Sequence, residues 1–308
     1  MRGDPVSTRT RHWTRWRRRQ LRDAWRRGSH IDVLGDEGRT SWICSWQRSG
    51  STLLAEVLAS SPGTRLIYEP ANLPAGIVTG EAAAVAAMPT GPGGELDAVE
   101  RSLRGRVRGA WVDQLCDCHV VKRRVVKDVR AIGLLDLVAA RHPHVPIVVL
   151  VRHPLSIALS AVALGWTDPH LGSVEDQLLS EVRRWTELHG AALRAPSVTR
   201  ALLVAYEHLV TLPDSTLDRV TAHLAAHHPA WRNLDIDRHR LDAPSSTSFR
   251  RTTPRSPSEW IGTFEHVQRA VLDETVAMLD AAGLGALYGR SPEPLVGPEA
   301  LSDAPSLR

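Results

Sequence analysis

The sequence predicts an α/β fold: a three-layer sandwich with a central parallel sheet flanked by helices. Three observations predict it. Residues 146–151 and 201–206 are continuous apolar or near-apolar runs, too short for core helices and without polar alternation. Such runs are the pattern of strands buried on both faces. Helical patterns follow both runs, and residues 41–58 hold a further strand–loop–helix unit. Strands alternating with helices imply right-handed crossovers and therefore parallel pairing.

The elements follow in order. Residues 1–38 form an Arg/Trp-rich arm. Trp13, Trp16, Leu21, Ala24 and Trp25 share one side of a helical wheel, with Arg17, Arg18, Arg22 and Arg26 elsewhere. An amphipathic helix packed on the domain satisfies this pattern; a membrane-surface or nucleic-acid contact is the functional alternative. The main domain is expected over 39–290. It opens with a short apolar strand, a tight polar loop from Gln47 to Gly50 and a helix from Ser51. A second strand covers 65–68 and runs into Glu69-Pro70. Residues 71–110, rich in Ala, Gly and Pro, suit an irregular lid over an acceptor site. A strand at 125–129 precedes a helix at 133–141. After the strand at 146–151, Pro154 starts a helix reaching Leu164. Helices at 175–193, 213–227 and 265–282 complete the domain, with the strand at 201–206 between the first two. The tail, 291–308, is Pro-rich and expected to be loose.

Bulk properties narrow the function. The 308 residues suffice for one large α/β domain or two small ones, and 43% hydrophobic content suits a globular core. The formal charge is +4, carried almost entirely by Arg, since Lys occurs only at 122 and 127. Mild basicity favours anionic ligands. The Arg- and Ala-rich, Lys-poor composition points to a GC-rich bacterial genome. Three cysteines, at 44, 116 and 118, argue against a disulfide framework. Cys116-Asp-Cys118-His119 matches no common zinc spacing and no second ligand pair follows, so no metal is expected. No apolar window reaches the length of a transmembrane helix, and no apolar h-region follows the basic N-terminus. A cytoplasmic protein without a transmembrane segment is the expectation.

The chemistry concentrates in two segments. The first is Ser45-Trp-Gln-Arg-Ser-Gly-Ser-Thr52. A loop opening a helix presents backbone N–H groups and a positive helix end to an anion. A nucleotide-hydrolysing phosphate loop needs Gly-x-x-x-x-Gly-Lys-Ser/Thr. Here Ser45 stands at the first Gly position, Ser51 stands at the Lys position, and Arg48 is the loop's cation. The second segment runs from Val148 through Arg152 to Ser160. Arg152 falls at the carboxyl end of a buried strand, the edge where ligands bind in open parallel sheets.

Arg-Ser-Gly-Ser-Thr over 48–52 resembles the 5′-phosphosulfate loop of sulfotransferases that use 3′-phosphoadenosine 5′-phosphosulfate. Arg152 and Ser160, eight residues apart, resemble that family's grip on the cofactor 3′-phosphate. Leu66-Ile-Tyr-Glu-Pro70 and Val126-Lys-Asp-Val-Arg130 are similar to segments of the carbohydrate sulfotransferase branch. Ala205-Tyr-Glu-His-Leu209 and Ser258-Glu-Trp260 resemble further family segments. The resemblance spans about residues 40–285 and implies a P-loop-like sandwich and sulfonate transfer to a hydroxyl.

The resemblance also implies roles. Arg48 would hold the 5′-phosphate and bridge oxygen. Backbone N–H groups of Ser49, Gly50, Ser51 and Thr52 would cradle that phosphate, with the Ser51 and Thr52 hydroxyls assisting. Arg152 and Ser160 would take the 3′-phosphate, and Arg250 and Arg251 would close over the cofactor. Cytosolic-type enzymes carry a His base two residues after a strand Lys; here that position after Lys127 is Val129. Carbohydrate- and tyrosylprotein-type enzymes use a Glu after the second strand, which maps to Glu69. The alternative for Glu69 is a strand-end residue paired with an Arg. His119 and Asp128 are weaker base candidates, and Lys127 is expected to stabilise the transferring group. Trp166 is either part of the acceptor pocket or a buried core residue. The expected acceptor is a small molecule, a sugar or glycosylated metabolite, with no nucleic-acid partner and no metal. The rivals are a phosphate-loop kinase, against which the missing Lys argues, a tyrosylprotein-type enzyme, and a non-enzymatic binding protein.

Overall fold

The computed structural model describes residues 30–32, 34–72, 94–109, 111–168, 170–242 and 269–288. Their architecture is the predicted one. Five parallel strands form a single sheet in the order β2-β3-β1-β4-β5. They are β1 (Thr40–Ser45), β2 (Thr64–Tyr68), β3 (Arg123–Asp128), β4 (Ile147–Val151) and β5 (Ala201–Ala205). The described α-helices are α1 (Ser51–Ala59), α2 (Gly94–Leu103), α3 (Leu135–Arg141), α4 (Pro154–Leu164), α5 (Val174–Arg194), α6 (Tyr206–Thr211), α7 (Pro213–His227) and α8 (Arg269–Ala281).

Every residue of the five strands is buried, which explains why the apolar runs show no alternation. Side chains still alternate between two cores. Trp42, Cys44, Val126, Val149, Val151 and Leu203 enter one, with α5 contributing Trp185 and α3 contributing Leu135 and Val138. Ile43, Val125, Val148, Leu150 and Val204 enter the other, against Leu54 and Leu58 of α1 and Leu217, Val220 and Leu224 of α7. One helical layer therefore covers each face, giving three layers.

The helices start where local chemistry lets them. Pro154 sits in the first turn of α4, and the His153 ring accepts from the Leu155 N–H at 3.2 Å. Ser173 caps α5 by accepting from the Asp176 N–H at 3.0 Å. The strand expected to reach Tyr206 ends at Ala205, because Tyr206 begins α6.

One feature of the sheet could not be read from patterning. Arg65 and Arg124 are register partners on β2 and β3, both fully or almost fully buried. Like charges paired across strands repel. Asp32 resolves the conflict: it accepts from Arg65 Nη1 at 2.8 Å and from Arg124 Nε at 2.8 Å. Asp113 takes a further Arg65 bond at 2.9 Å. This network sits at the amino end of the strands and ties Asp32 and Leu34 to the domain.

The order of strands places the site. β1 lies between β3 and β4; α1 leads from β1 toward β2 on one side, and α4 leads from β4 toward β5 on the other. The chain thus departs in opposite directions from the carboxyl ends of two adjacent strands. Such a switch point leaves a crevice at that edge.

Candidate active site

Two groups of side chains gather at the carboxyl edge. The first grows from the loops after β1 and β4. After Ser45, Trp46 is buried and the chain turns tightly, with Arg48 at φ 63° and Gly50 at φ 89°. A left-handed backbone at an Arg costs of order 1 kcal/mol, the kind of local strain that clusters at functional sites. Gly50 then caps α1, which starts at Ser51. A Cβ at Gly50 would lie 2.3 Å from the Tyr206 ring, so the position requires glycine for space as well as for φ.

Arg48 and Arg152 meet in this crevice. Arg152 Nη1 donates to the Arg48 carbonyl at 2.9 Å, and its guanidinium lies 4.3 Å from the Tyr206 ring centroid. Arg48 Nε donates to Ser160 Oγ at 3.0 Å, and its guanidinium lies 5.5 Å from the Trp166 ring. Burial and then the neighbouring Arg152 charge push the Arg48 pKa down. Two cations sharing one crevice disfavour each other, and a polyanion between them relieves that repulsion. The residues present therefore suit a phosphate-bearing ligand.

Two of the expected cofactor-holding residues have partners within the chain. Ser160, in the second turn of α4, faces the β1 loop and accepts from Arg48. The Ser49 N–H is not presented outward; it closes the turn by donating to the Trp46 carbonyl at 3.3 Å. The first N–H groups of α1 have no intrahelical acceptor by construction. Ser51 is buried and Thr52 is half-buried at this end. Arg250 and Arg251 lie outside the described residues.

The second group forms at the ends of β2 and β3. Tyr68 and Lys127 are register partners, and Lys127 Nζ lies 4.6 Å from the Tyr68 ring. Lys127 Nζ also forms an ion pair with Glu69 Oε1. Glu69 thus pairs with a cation, and the one seen here is Lys127, one of the chain's two Lys residues. Glu69 has φ 42°, its N–H donates to the Lys127 carbonyl at 2.7 Å, and its carbonyl accepts from Trp111 Nε1 at 3.1 Å. Trp111 packs edge-on to Tyr68 at 5.4 Å.

The two weaker base candidates, Asp128 and His119, sit in other surroundings. Asp128 is fully buried and accepts from the N–H groups of Ala71 at 2.9 Å, Arg130 at 2.7 Å and Ala131 at 3.2 Å. It shapes the turn after β3, and burial pushes its pKa up. His119 precedes β3 and lies toward the amino edge, away from both groups; its carbonyl accepts from the Ile31 N–H.

A family model described as the sulfotransferase family matches residues 42–230, more than half of the 308 residues. The chain belongs to the sulfotransferase family. No curated protein matches it in sequence. Among solved structures, a sulfotransferase from Alicyclobacillus acidocaldarius is similar at 15% identity and TM-score 0.46, over 81% of this chain and 94% of that one. The sulfotransferase domain of the Synechococcus PCC 7002 olefin synthase is 20% identical at TM-score 0.38, over 87% and 94%. A mouse sulfotransferase complexed with PAP is 16% identical at TM-score 0.46, over 83% and 88%.

For Trp166 the buried alternative does not hold, and beside this crevice Glu207 and Tyr288 escaped sequence reasoning. Trp166 is 40% exposed and lies against Arg48, so it is not a core residue. Glu207 is buried beneath Arg152, where it accepts from the His153 N–H at 3.0 Å and from the Tyr288 hydroxyl at 2.9 Å. Burial raises its pKa to about 6. Only its place in the Ala-Tyr-Glu-His-Leu segment flagged it. Nothing local could have linked it to Tyr288, 81 residues away. Among the described residues, no helix is long and apolar enough to cross a membrane.

Proposed function

We propose that this sulfotransferase moves a sulfonate group from 3′-phosphoadenosine 5′-phosphosulfate to a hydroxyl of a sugar, a glycosylated metabolite or another small molecule. One observation carries the reading: Arg48 and Arg152, from different strand ends, converge at the switch point and contact each other. A ligand with two separated phosphates is the anion such a pair accommodates.

When bound, the donor supplies an activated sulfonate on a phosphosulfate bridge. Arg48 and the start of α1 hold the 5′-phosphate side. Arg152 holds the 3′-phosphate, with Ser160 orienting Arg48 between the two. Catalysis of this kind is mostly positioning and electrostatic stabilisation. Glu69 takes the acceptor's hydroxyl proton, and Lys127 fixes the orientation of that carboxylate. Tyr68 and Trp111 form an aromatic wall beside it. Each of these steps uses side chains of the protein and needs no metal.

The test is calorimetric titration of 3′-phosphoadenosine 5′-phosphate, with 5′-AMP and ATP–Mg²⁺ as controls. The bisphosphate should bind tightly and 5′-AMP weakly. Folded Arg48→Ala and Arg152→Ala variants should each lose about 10- to 150-fold in affinity, the range for a charged hydrogen bond. Unchanged affinity in both variants, or a preference for ATP–Mg²⁺, overturns the reading.

A further inference from the structure

The segment from Trp111 to Val120 runs beside the β2 edge from the carboxyl end of the sheet to its amino end. The Val112 carbonyl accepts from the Tyr68 N–H at 2.8 Å, Asp113 meets Arg65, and His119 and Val120 pair with Ile31. Between these anchors lie Cys116 and Cys118, in a stretch that is neither helix nor strand. Their Sγ atoms are 3.7 Å apart, and both residues are half-buried. The third cysteine, Cys44, is fully buried in the core, and burial raises its thiol pKa further.

The close approach of the two sulfurs, 3.7 Å, lets one stabilise the other as a thiolate. Reactive thiols occupy electropositive, partly exposed sites, whereas buried ones are inert. The hydrogen bond from the neighbouring Cys118 thiol holds Cys116 below the usual thiol range, against burial and the Asp113 carboxylate and with a smaller contribution from Arg65, and Cys118 is correspondingly pushed up. One thiolate beside one protonated thiol is the starting arrangement for thiol–disulfide exchange.

A metal is disfavoured at the same place. The ligand atoms of His30, Asp113 and Cys116 lie within 4.8 Å of one another. Yet Arg108 Nη1 already sits 2.7 Å from His30 Nε2, and Arg65 Nη2 sits 2.8 Å from Asp113 Oδ1. Two guanidiniums occupy the would-be ligands, and they oppose a divalent cation there.

We propose that Cys116 and Cys118 form a reversible dithiol–disulfide site that reacts with low-molecular-weight disulfides. The Cys116 thiolate attacks one sulfur of a disulfide RS–SR, forming a mixed disulfide and releasing RS⁻. Cys118 gives its proton to that RS⁻, and its sulfur attacks Cys116 Sγ. The Cys116–Cys118 bond forms and the second RS⁻ leaves, to be protonated by water. Two protein thiols are oxidised and one external disulfide is reduced to two thiols. The sulfurs must close from 3.7 Å to a bond of about 2.05 Å, a movement the irregular backbone at 116–118 can absorb.

The test equilibrates the full chain with mixtures of reduced and oxidised glutathione, then quenches, alkylates and measures peptide masses. The peptide holding Cys116 and Cys118 should lose two hydrogens, escape alkylation and be restored by dithiothreitol, while Cys44 stays a free thiol. Cys118→Ser should trap glutathione on Cys116. Cys116→Ser should leave Cys118 reacting at least about tenfold more slowly. Persistence of both free thiols in oxidised glutathione, or a mixed disulfide in the wild type that Cys118 fails to resolve, overturns the proposal. So does protection of both thiols by Zn²⁺ alone at one equivalent, which would make this a metal site.

Discussion

Arg48 Nε donates to Ser160 Oγ at 3.0 Å, joining residues 112 positions apart across the crevice between β1 and β4. The bond orients the one cation of the β1 loop with a hydroxyl from α4. It therefore couples two segments that sequence reading assigned to separate phosphates.

Ser160→Ala should weaken binding of 3′-phosphoadenosine 5′-phosphate about fivefold, the equivalent of one ordinary hydrogen bond near 1 kcal/mol. The Arg48→Ala and Ser160→Ala effects should fall short of additivity in the double variant, because both remove the same contact. Calorimetry on the four proteins measures the coupling. Strict additivity would mean that Ser160 acts on the ligand independently of Arg48.

Glu69→Gln should lower turnover about 10²- to 10⁴-fold, the usual contribution of a general base. Binding of the bisphosphate should stay within about twofold, since Glu69 belongs to the β2–β3 group rather than the Arg pair. Steady-state kinetics with any accepted hydroxyl, paired with calorimetry, separates the two effects. A variant with normal turnover would reduce Glu69 to an ion-pair partner of Lys127.

Gly50→Ala should destabilise the fold and the site together. The left-handed backbone alone costs a Cβ-bearing residue about 1–2 kcal/mol. The added methyl also displaces the Tyr206 ring on which Arg152 rests. Urea unfolding should show that Tyr206→Ala, combined with Gly50→Ala, costs less than the sum of the single changes. The strain from φ should remain in the double variant.

Glu207 predicts a pH signature. Burial raises its pKa to about 6, above its unfolded value near 4.5. Between these values the native state binds more protons than the unfolded state, so this group's contribution to stability falls as pH rises. The loss is complete above about pH 6 and amounts to about 2 kcal/mol. Glu207→Gln keeps an acceptor for the His153 N–H and cannot ionise. Its melting temperature relative to wild type should therefore rise between about pH 4.5 and 6 and be flat above that. A pH-independent difference would place the Glu207 pKa outside this window.

Asp32 should prove essential to folding although it lies far from the site. Asp32→Ala leaves two buried guanidiniums on neighbouring strands without their shared carboxylate. Breaking a buried ionic network in this way costs about 3–5 kcal/mol. Urea titration should show a large drop in midpoint, and a loss under about 1 kcal/mol would mean that water reaches the Arg pair.

Much of this protein was legible because its signals are local. The unbroken apolar strands, the Pro154 helix start and the Arg48–Thr52 loop each depend on a few neighbouring residues. Strand burial and backbone geometry follow from such stretches directly. The placement of Arg48 and Arg152 at strand carboxyl ends was legible for the same reason.

What only the tertiary structure decided was which distant groups meet. Strand order set Arg48 beside Arg152 and swung Ser160 onto the former. It paired Lys127 with Glu69 across β2 and β3, buried Asp128 as a turn-former and sent His119 toward the opposite edge. It put Asp32 between two arginines that patterning alone would have left in conflict, and laid Tyr288 on Glu207. Periodicity reports how each element faces its surroundings, and it carries no information about which other element supplies them. A parallel sheet brings chain-distant strand ends to one edge, so the site's partners became visible only once the strand order was known.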